Sequence, residues 1–250
     1  MHSIEKATAI ARDLLDLAEE MADRTMKRAD DIGGLTAMFL ARAHQALDSV
    51  ILLANRGSIA DAMAVARTII ELDIDHAYIS QEPVTRVVMF SAYELVAGYK
   101  IAVAIDDLHG GTIDRELMAL VKERRDDALT AIVEASGNEK PRDWAGNNIS
   151  ERATAVGRAN AYRLAYRDMC GASHSGMATL RYAMVGSDDA PRVHFGLMTP
   201  NEKPIELASM GMLSLIASAS VACAIDDLDG AIKTVQDALI PAKKSDEEPA

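Results

Sequence analysis

The stretch Ala161–Ser175, AYRLAYRDMCGASHS, gathers residue types that handle phosphates and protons. Arg167 is followed at once by Asp168, and His174 comes seven residues after the arginine. On a helix, positions seven apart return to nearly the same face, so Arg167 and His174 would lie about 10 Å apart along one stripe. A guanidinium presents a fork of donors that fits a phosphate. An imidazole titrates near neutrality and can take or give a proton. Together they are the parts of an RNA-cleaving pair. The spacing alone carries little weight: with 17 arginines and six histidines, four to six intervening residues turn up by chance roughly once in such a chain. Its setting adds to it, because it falls late in a helical chain and a polar residue, Asp168, follows the arginine directly.

A second polar constellation lies in RTIIELDIDHAYI. Arg67 and Glu71 are four apart and can pair along one helical face, which Asp75 and Tyr78 extend. The stripe reads either as a structural ion pair in a helical bundle or as one wall of a cleft. With Tyr162, Tyr166 and His174 it would make a polar binding site for a small molecule or nucleotide. His44 and Asp48, one turn apart, read as an ordinary polar pair. The only tryptophan, Trp144, reads as an anchor that pins a loop to the core.

Metals and cofactors find no support. AVAIDDLHGG (102–111) echoes ACAIDDLDGA (222–231), and paired aspartates could attract a hard cation. Yet neighbours on a helix point about 100° apart, and no third ligand accompanies them. Cys170 and Cys223 suggest neither a disulfide framework nor a zinc site. No cofactor and no metal site are predicted.

The elements that must position these residues are helical. Apolar residues recur at helical spacing, as Ile10, Leu14, Leu17 and Met21 do, and glycines and serines punctuate them. The predicted helices cover Ile4–Ala29, stopped by Gly33-Gly34; Leu35–Asn55; Ser58–Ser80; Pro83–Leu108; and Ile113–Ser136. After a loop over Asn138–Ile149, Ser150 caps a helix that enters the Ala161–Ser175 stretch through Gly157. A long loop over Gly186–Pro204 leads to a last helix, Ile205–Leu239, bent near Gly230, and only Arg192–Leu197 resembles a strand.

Half of the residues are apolar and only 4% aromatic, which favours close-packed helices over a β-sandwich. The net charge is −12, so broad electrostatic binding to nucleic acid is excluded and any RNA site must be local. The start of the chain lacks the basic, then continuously apolar pattern of a signal peptide. Leu207–Ile225 has no charge over 19 residues but is rich in Ala, Ser and Gly, and reads as a buried central helix. A reducing cytoplasm with no membrane partner is the expected setting.

The pieces RTIIELDIDHAY, Trp144 with SERA from Ser150, and YRLAYRDMCGASH resemble a widespread bacterial family of uncharacterised all-helical proteins, over roughly Leu35–Tyr182. The second half also resembles the HEPN superfamily of helical ribonucleases, whose motif is an arginine and a histidine separated by four to six residues, often with Asn, Asp or His after the arginine. Arg167, Asp168 and His174 match it position by position, at the long limit of the spacing. The resemblance implies a homodimer that joins two copies of the motif in one metal-independent site. In that site Arg167 would hold the scissile phosphate, His174 would move the proton, and Asp168 would orient either.

The expected architecture is one all-α, up-and-down-like bundle of seven or eight helices over residues 1–239, HEPN-like, followed by a disordered acidic tail over 240–250. The leading expectation is a metal-independent endoribonuclease in a toxin or phage-defence setting. The alternatives are a non-catalytic helical interaction protein with a protein partner, or a small-molecule or nucleotide binder.

Overall fold

The computed structural model describes residues 3–28, 30–138, 141, 143–166, 169, 184–185, 192–193 and 198–240, with the side chains of 164–165, 184–185 and 192–193 excepted. The described chain is helical. Its α-helices are α1 (Ile4–Met26), α2 (Asp31–Asn55), α3 (Ile59–Ser80), α4 (Pro83–Leu108), α5 (Arg115–Ser136), α6 (Ile149–Ala155), α7 (Ala159–Ala161), α8 (Lys203–Cys223) and α9 (Asp229–Leu239). A π-helical turn over Tyr162–Tyr166 follows α7, and a 3-10 turn over Asp226–Leu228 precedes α9. The described extended structure is one short antiparallel pair, Met184–Val185 with Arg192–Val193; only the second strand falls in the segment expected to be strand-like.

The chain divides into two compact units, residues 1–77 with 156–250, and residues 78–155. In the first, α1, α2 and α8 pack on one another and α9 closes on α1 and α8. Ile10, Leu14, Leu17 and Met21 bury one face of α1 at the expected spacing. Helix α8 also approaches α3 closely, since a Cβ added at Gly211 would lie 2.8 Å from the Ile70 side chain. In the second unit, α4 and α5 form an antiparallel hairpin.

The helix starts follow their capping residues. Ser3 accepts the Lys6 amide at α1. Ser58 bonds to Asp61 before α3, and Pro83 occupies the first turn of α4, where its missing N–H costs nothing. Three expectations need correction. Gly33-Gly34 does not break the chain. Asp30 caps α2 by accepting the Gly33 amide, and a Cβ on Gly33 would lie 2.7 Å from the Thr25 carbonyl oxygen. That glycine answers a close approach rather than a turn. Ser150 is not the cap of α6. Asn148 and Glu151 exchange side-chain-to-amide bonds as a reciprocal box, at 3.1 and 2.8 Å. The last helix is two: α8 stops at Cys223, Ala224 turns left-handed at φ 50°, and α9 begins five residues later.

The cytoplasmic setting is also corrected. Helices α2, α4 and α8 are long and apolar enough, by length and composition, to cross a membrane, with mean hydropathies of 1.2, 1.5 and 1.6 in their apolar windows. This points towards a membrane protein. Sequence reading tested one charge-free run, most of which lies in α8, and passed over α2 and α4, which tolerate a few charges. The three differ in cover: the protein buries 50% and 56% of the windows in α2 and α8, but 11% of that in α4. The expected tail beyond Ile240 lies outside the described residues.

Candidate functional site

Helix α3 is the ruler of the first unit. Its apolar side, with Ile69, Ile70 and Ile74, is buried, while Arg67, Glu71, Asp73 and His76 carry polar groups at helical spacing. The Arg67 guanidinium donates from Nε and Nη2 to Glu71 Oε1, at 3.0 and 2.7 Å. Tyr166, 95 residues further on, donates its hydroxyl to the same oxygen at 2.7 Å. The Arg67 guanidinium carbon lies 4.9 Å from the centre of the Tyr166 ring, and Tyr162 stacks on that ring at 4.6 Å. The π-helical turn widens the backbone by one residue and carries both rings. Tyr166 is buried, and so is Met169.

Of the residues that sequence analysis singled out, Arg67, Glu71, Tyr162 and Tyr166 therefore meet in one cluster. Arg167, Asp168 and His174 lie outside the described residues. The cluster joins the polar stripe of α3 to the residue directly before Arg167. Its chemistry is that of a held arginine: one carboxylate oxygen takes two guanidinium N–H groups and a phenol, which fixes the guanidinium against an aromatic face.

Two further polar contacts on α3 escaped sequence analysis. Asp73 is buried and receives Arg158 Nε at 3.0 Å, while Arg158 Nη2 donates to Ser218 Oγ at 2.9 Å. Burial pushes the Asp73 carboxyl above its ordinary range, and the Arg158 guanidinium pulls against that rise. His76 is fully buried, with Nε2 2.9 Å from Thr36 Oγ1, which in turn accepts the Cys223 thiol at 3.8 Å. Loss of water around the imidazole lowers its pKa to about 4, so it is neutral at physiological pH. A readable signal existed for the first contact. Ser218 belongs to the small-residue series Ser214, Ser218, Ala222, which leaves room for a long side chain.

In the second unit, Trp144 anchors its loop as expected. It is buried, edge-on to Tyr78 and Phe90 with ring centres at 5.8 and 5.1 Å, and has Arg152 at 5.3 Å. Arg152 also binds Asp143 and the Asn147 carbonyl. A cavity of about 250 Å³ in this unit is lined by Tyr78, Arg86, Ser136, Asn138 and Asn147, among others. A second one, about 240 Å³, lies between α1 and α2 beside Glu19, Asp23 and His44. Neither is lined by Arg67, Glu71 or Tyr166. The echoed aspartates have structural partners. Asp106 accepts the Ile113 amide at 2.8 Å, and Asp227 pairs with Arg24.

The family described as "Family of unknown function (DUF5677)" matches residues 34–191, close to the span over which sequence analysis finds a family of uncharacterised helical proteins. No curated protein and no solved structure matches the chain.

Proposed function

The chain belongs to that family of unknown function, and from its own side chains we propose that it is a HEPN-like ribonuclease, metal-independent, acting as a homodimer on RNA. One observation carries the reading: Tyr166, the residue before Arg167, is buried and bonded to Glu71, which Arg67 holds. A stretch with the residues for phosphate chemistry thus begins from a rigid point on α3, as catalytic positioning requires. Arg167 holds the scissile phosphate and stabilises its growing charge. His174 takes the proton of the ribose 2′-hydroxyl as base, or gives one to the departing 5′-oxygen as acid. The 2′-oxygen forms a bond to phosphorus as the bond to the 5′-oxygen breaks, leaving a 2′,3′-cyclic phosphate and a 5′-hydroxyl. Asp168 orients one of the two.

The test is cleavage of labelled RNA by the full chain in excess chelator, beside Arg167→Ala, His174→Ala and Tyr166→Phe, each checked for helicity. The first two abolish cleavage while remaining folded. Tyr166→Phe keeps the ring, loses the bond to Glu71 and lowers the rate by about tenfold. Cleavage that survives His174→Ala, or none by the unaltered chain, ends the proposal. A second reading, a non-catalytic helical interaction protein, draws on the same cluster: Glu71 Oε1 is already engaged by Arg67 and Tyr166. It predicts Arg167→Ala and His174→Ala to act on stability alone.

A further inference from the structure

Among the described residues, helix α4 leaves one apolar face exposed. Val84, Val88, Leu95, Ile101, Ile105 and Leu108 are between 43% and 86% exposed. Along this face Val84, Val88, Ser91, Leu95, Gly98, Ala102 and Ile105 follow at alternating spacings of four and three. That alternation is the seam of a coiled coil. Its period of about 3.5 residues keeps one stripe against a partner helix along its whole length. Another part of α4 is already occupied, because Val87, Met89 and Val96 are buried and Arg125 of α5 lies 4.4 Å from the Tyr99 ring centre. Counted around each helix from their mutual contact, at about 100° per residue, Leu117 and Leu120 of α5 fall on the same side as the seam. They are 52% and 44% exposed. These eight large side chains offer on the order of 800 Å², which is what one partner contributes to a standard protein interface and more than a monomer commonly leaves bare.

We propose that this face is covered by the same face of a second copy of the chain, hairpin against hairpin. An antiparallel pairing about a two-fold axis between Leu95 and Gly98 sets Leu95 opposite Gly98, Ser91 opposite Ala102 and Val88 opposite Ile105, with Val84 falling beside Leu108 at each end. Small residues let the two axes approach at the centre, and large ones close the ends, in the self-complementary manner of a two-fold interface. Two hairpins joined in this way make a four-helix arrangement. A bilayer fits the face less well. Nine of the 22 residues of α5, packed along α4, are charged, and Glu94 and Lys100 interrupt the apolar run of α4 itself. The pairing rests on the homodimer of the reading above but not on its chemistry, so Arg167→Ala and His174→Ala should abolish cleavage and leave the dimer intact.

Gly98 gives the sharpest test. A Cβ added there meets nothing within 4 Å, so a single copy accepts a larger side chain. Between paired copies the same side chain would force the axes apart. The full chain, Gly98→Leu and Leu95→Lys are compared by sedimentation over a concentration series, with flotation on phosphatidylcholine–phosphatidylglycerol vesicles alongside. The unaltered chain is expected to dimerise, and each variant to raise the dissociation constant at least about tenfold with unchanged helicity. A monomer at every concentration overturns the proposal, as does a dimer that either variant leaves intact. Vesicle binding that Gly98→Leu strengthens and Leu95→Lys weakens overturns it too, by giving the face to lipid.

Discussion

The polar side of α3 and the outward face of α4 solve opposite problems. Around α3, charged and polar groups are withdrawn from water and provided with partners: Asp73 with Arg158, His76 with Thr36, Glu71 with Arg67 and Tyr166. On α4, apolar groups stay exposed, without cover from the described residues. A buried ion pair is a costly way to hold a helix, because desolvation offsets most of the Coulombic gain. An exposed apolar stripe is a poor way to hold one, because it gains nothing until something meets it. The first arrangement fixes geometry within a chain, and the second awaits an encounter. Substitutions in the two places should therefore act on different observables.

The largest effect belongs to Arg158→Ala. It leaves the Asp73 carboxylate buried without its cation, and should lower unfolding free energy in urea at neutral pH by about 3–5 kcal/mol. A loss below about 1 kcal/mol would mean that the polar side of α3 holds little together. Next comes pH. The folded pKa of His76, about 4, lies below the ordinary 6.5, so the unfolded chain binds the proton first. The stability contribution is complete above pH 6.5 and is lost as pH falls towards 4, by about 3 kcal/mol in all. Urea midpoints across this window should fall with pH in the unaltered chain and fall less steeply in His76→Gln. Equal slopes would remove His76 from the account.

Tyr166→Phe is smaller. Losing one hydrogen bond to a charged acceptor costs about 1.5–3 kcal/mol, reduced where water replaces the phenol. A thermal melt reads it, and an unchanged melt would leave Tyr166 held by its ring alone. The smallest effect is expected on α4. Val84→Lys and Leu108→Lys, at sites 86% and 80% exposed, should alter the unfolding of one copy by no more than about 0.5 kcal/mol while weakening self-association. If either unfolds the chain instead, the contrast between the two helices collapses.

Much of this arrangement was legible from the chain, for reasons that differ by residue. Helical spacing alone exposed the Arg67–Glu71 pair and the buried stripe of α1. Trp144 was readable as an anchor because a lone indole in a helical protein has few other uses. Other features depended on distance. Asp73 sits among isoleucines and looks like any polar helical position until Arg158, 85 residues away, is brought beside it. Glycine was the least legible type. The Gly33-Gly34 pair looks like a break, yet Gly33 serves a close contact between helices, and periodicity carries no trace of such a contact. The cap of α6 was misplaced by two residues because Ser150 and Asn148 are both good caps, and only the Glu151 bond decides between them. Arg167, Asp168 and His174, which matter most for the chemistry, lie outside the described residues. Their roles rest on their types, spacing and attachment to Tyr166.

Gly57 has a consequence beyond its turn. Its φ is 79°, and a Cβ there would lie 1.8 Å from the Met198 carbonyl oxygen, while the Met198 amide donates to the Gly57 carbonyl at 3.0 Å. The two residues act as a clasp on a very long loop, one that contains the whole second unit and most of the family match. Closing so long a loop costs little more than closing one half its length, since the entropy grows only with the logarithm of chain length. The clasp can therefore stay small, a single glycine and a single amide, although the segment between its jaws carries most of the family match and the Arg67–Glu71–Tyr166 cluster.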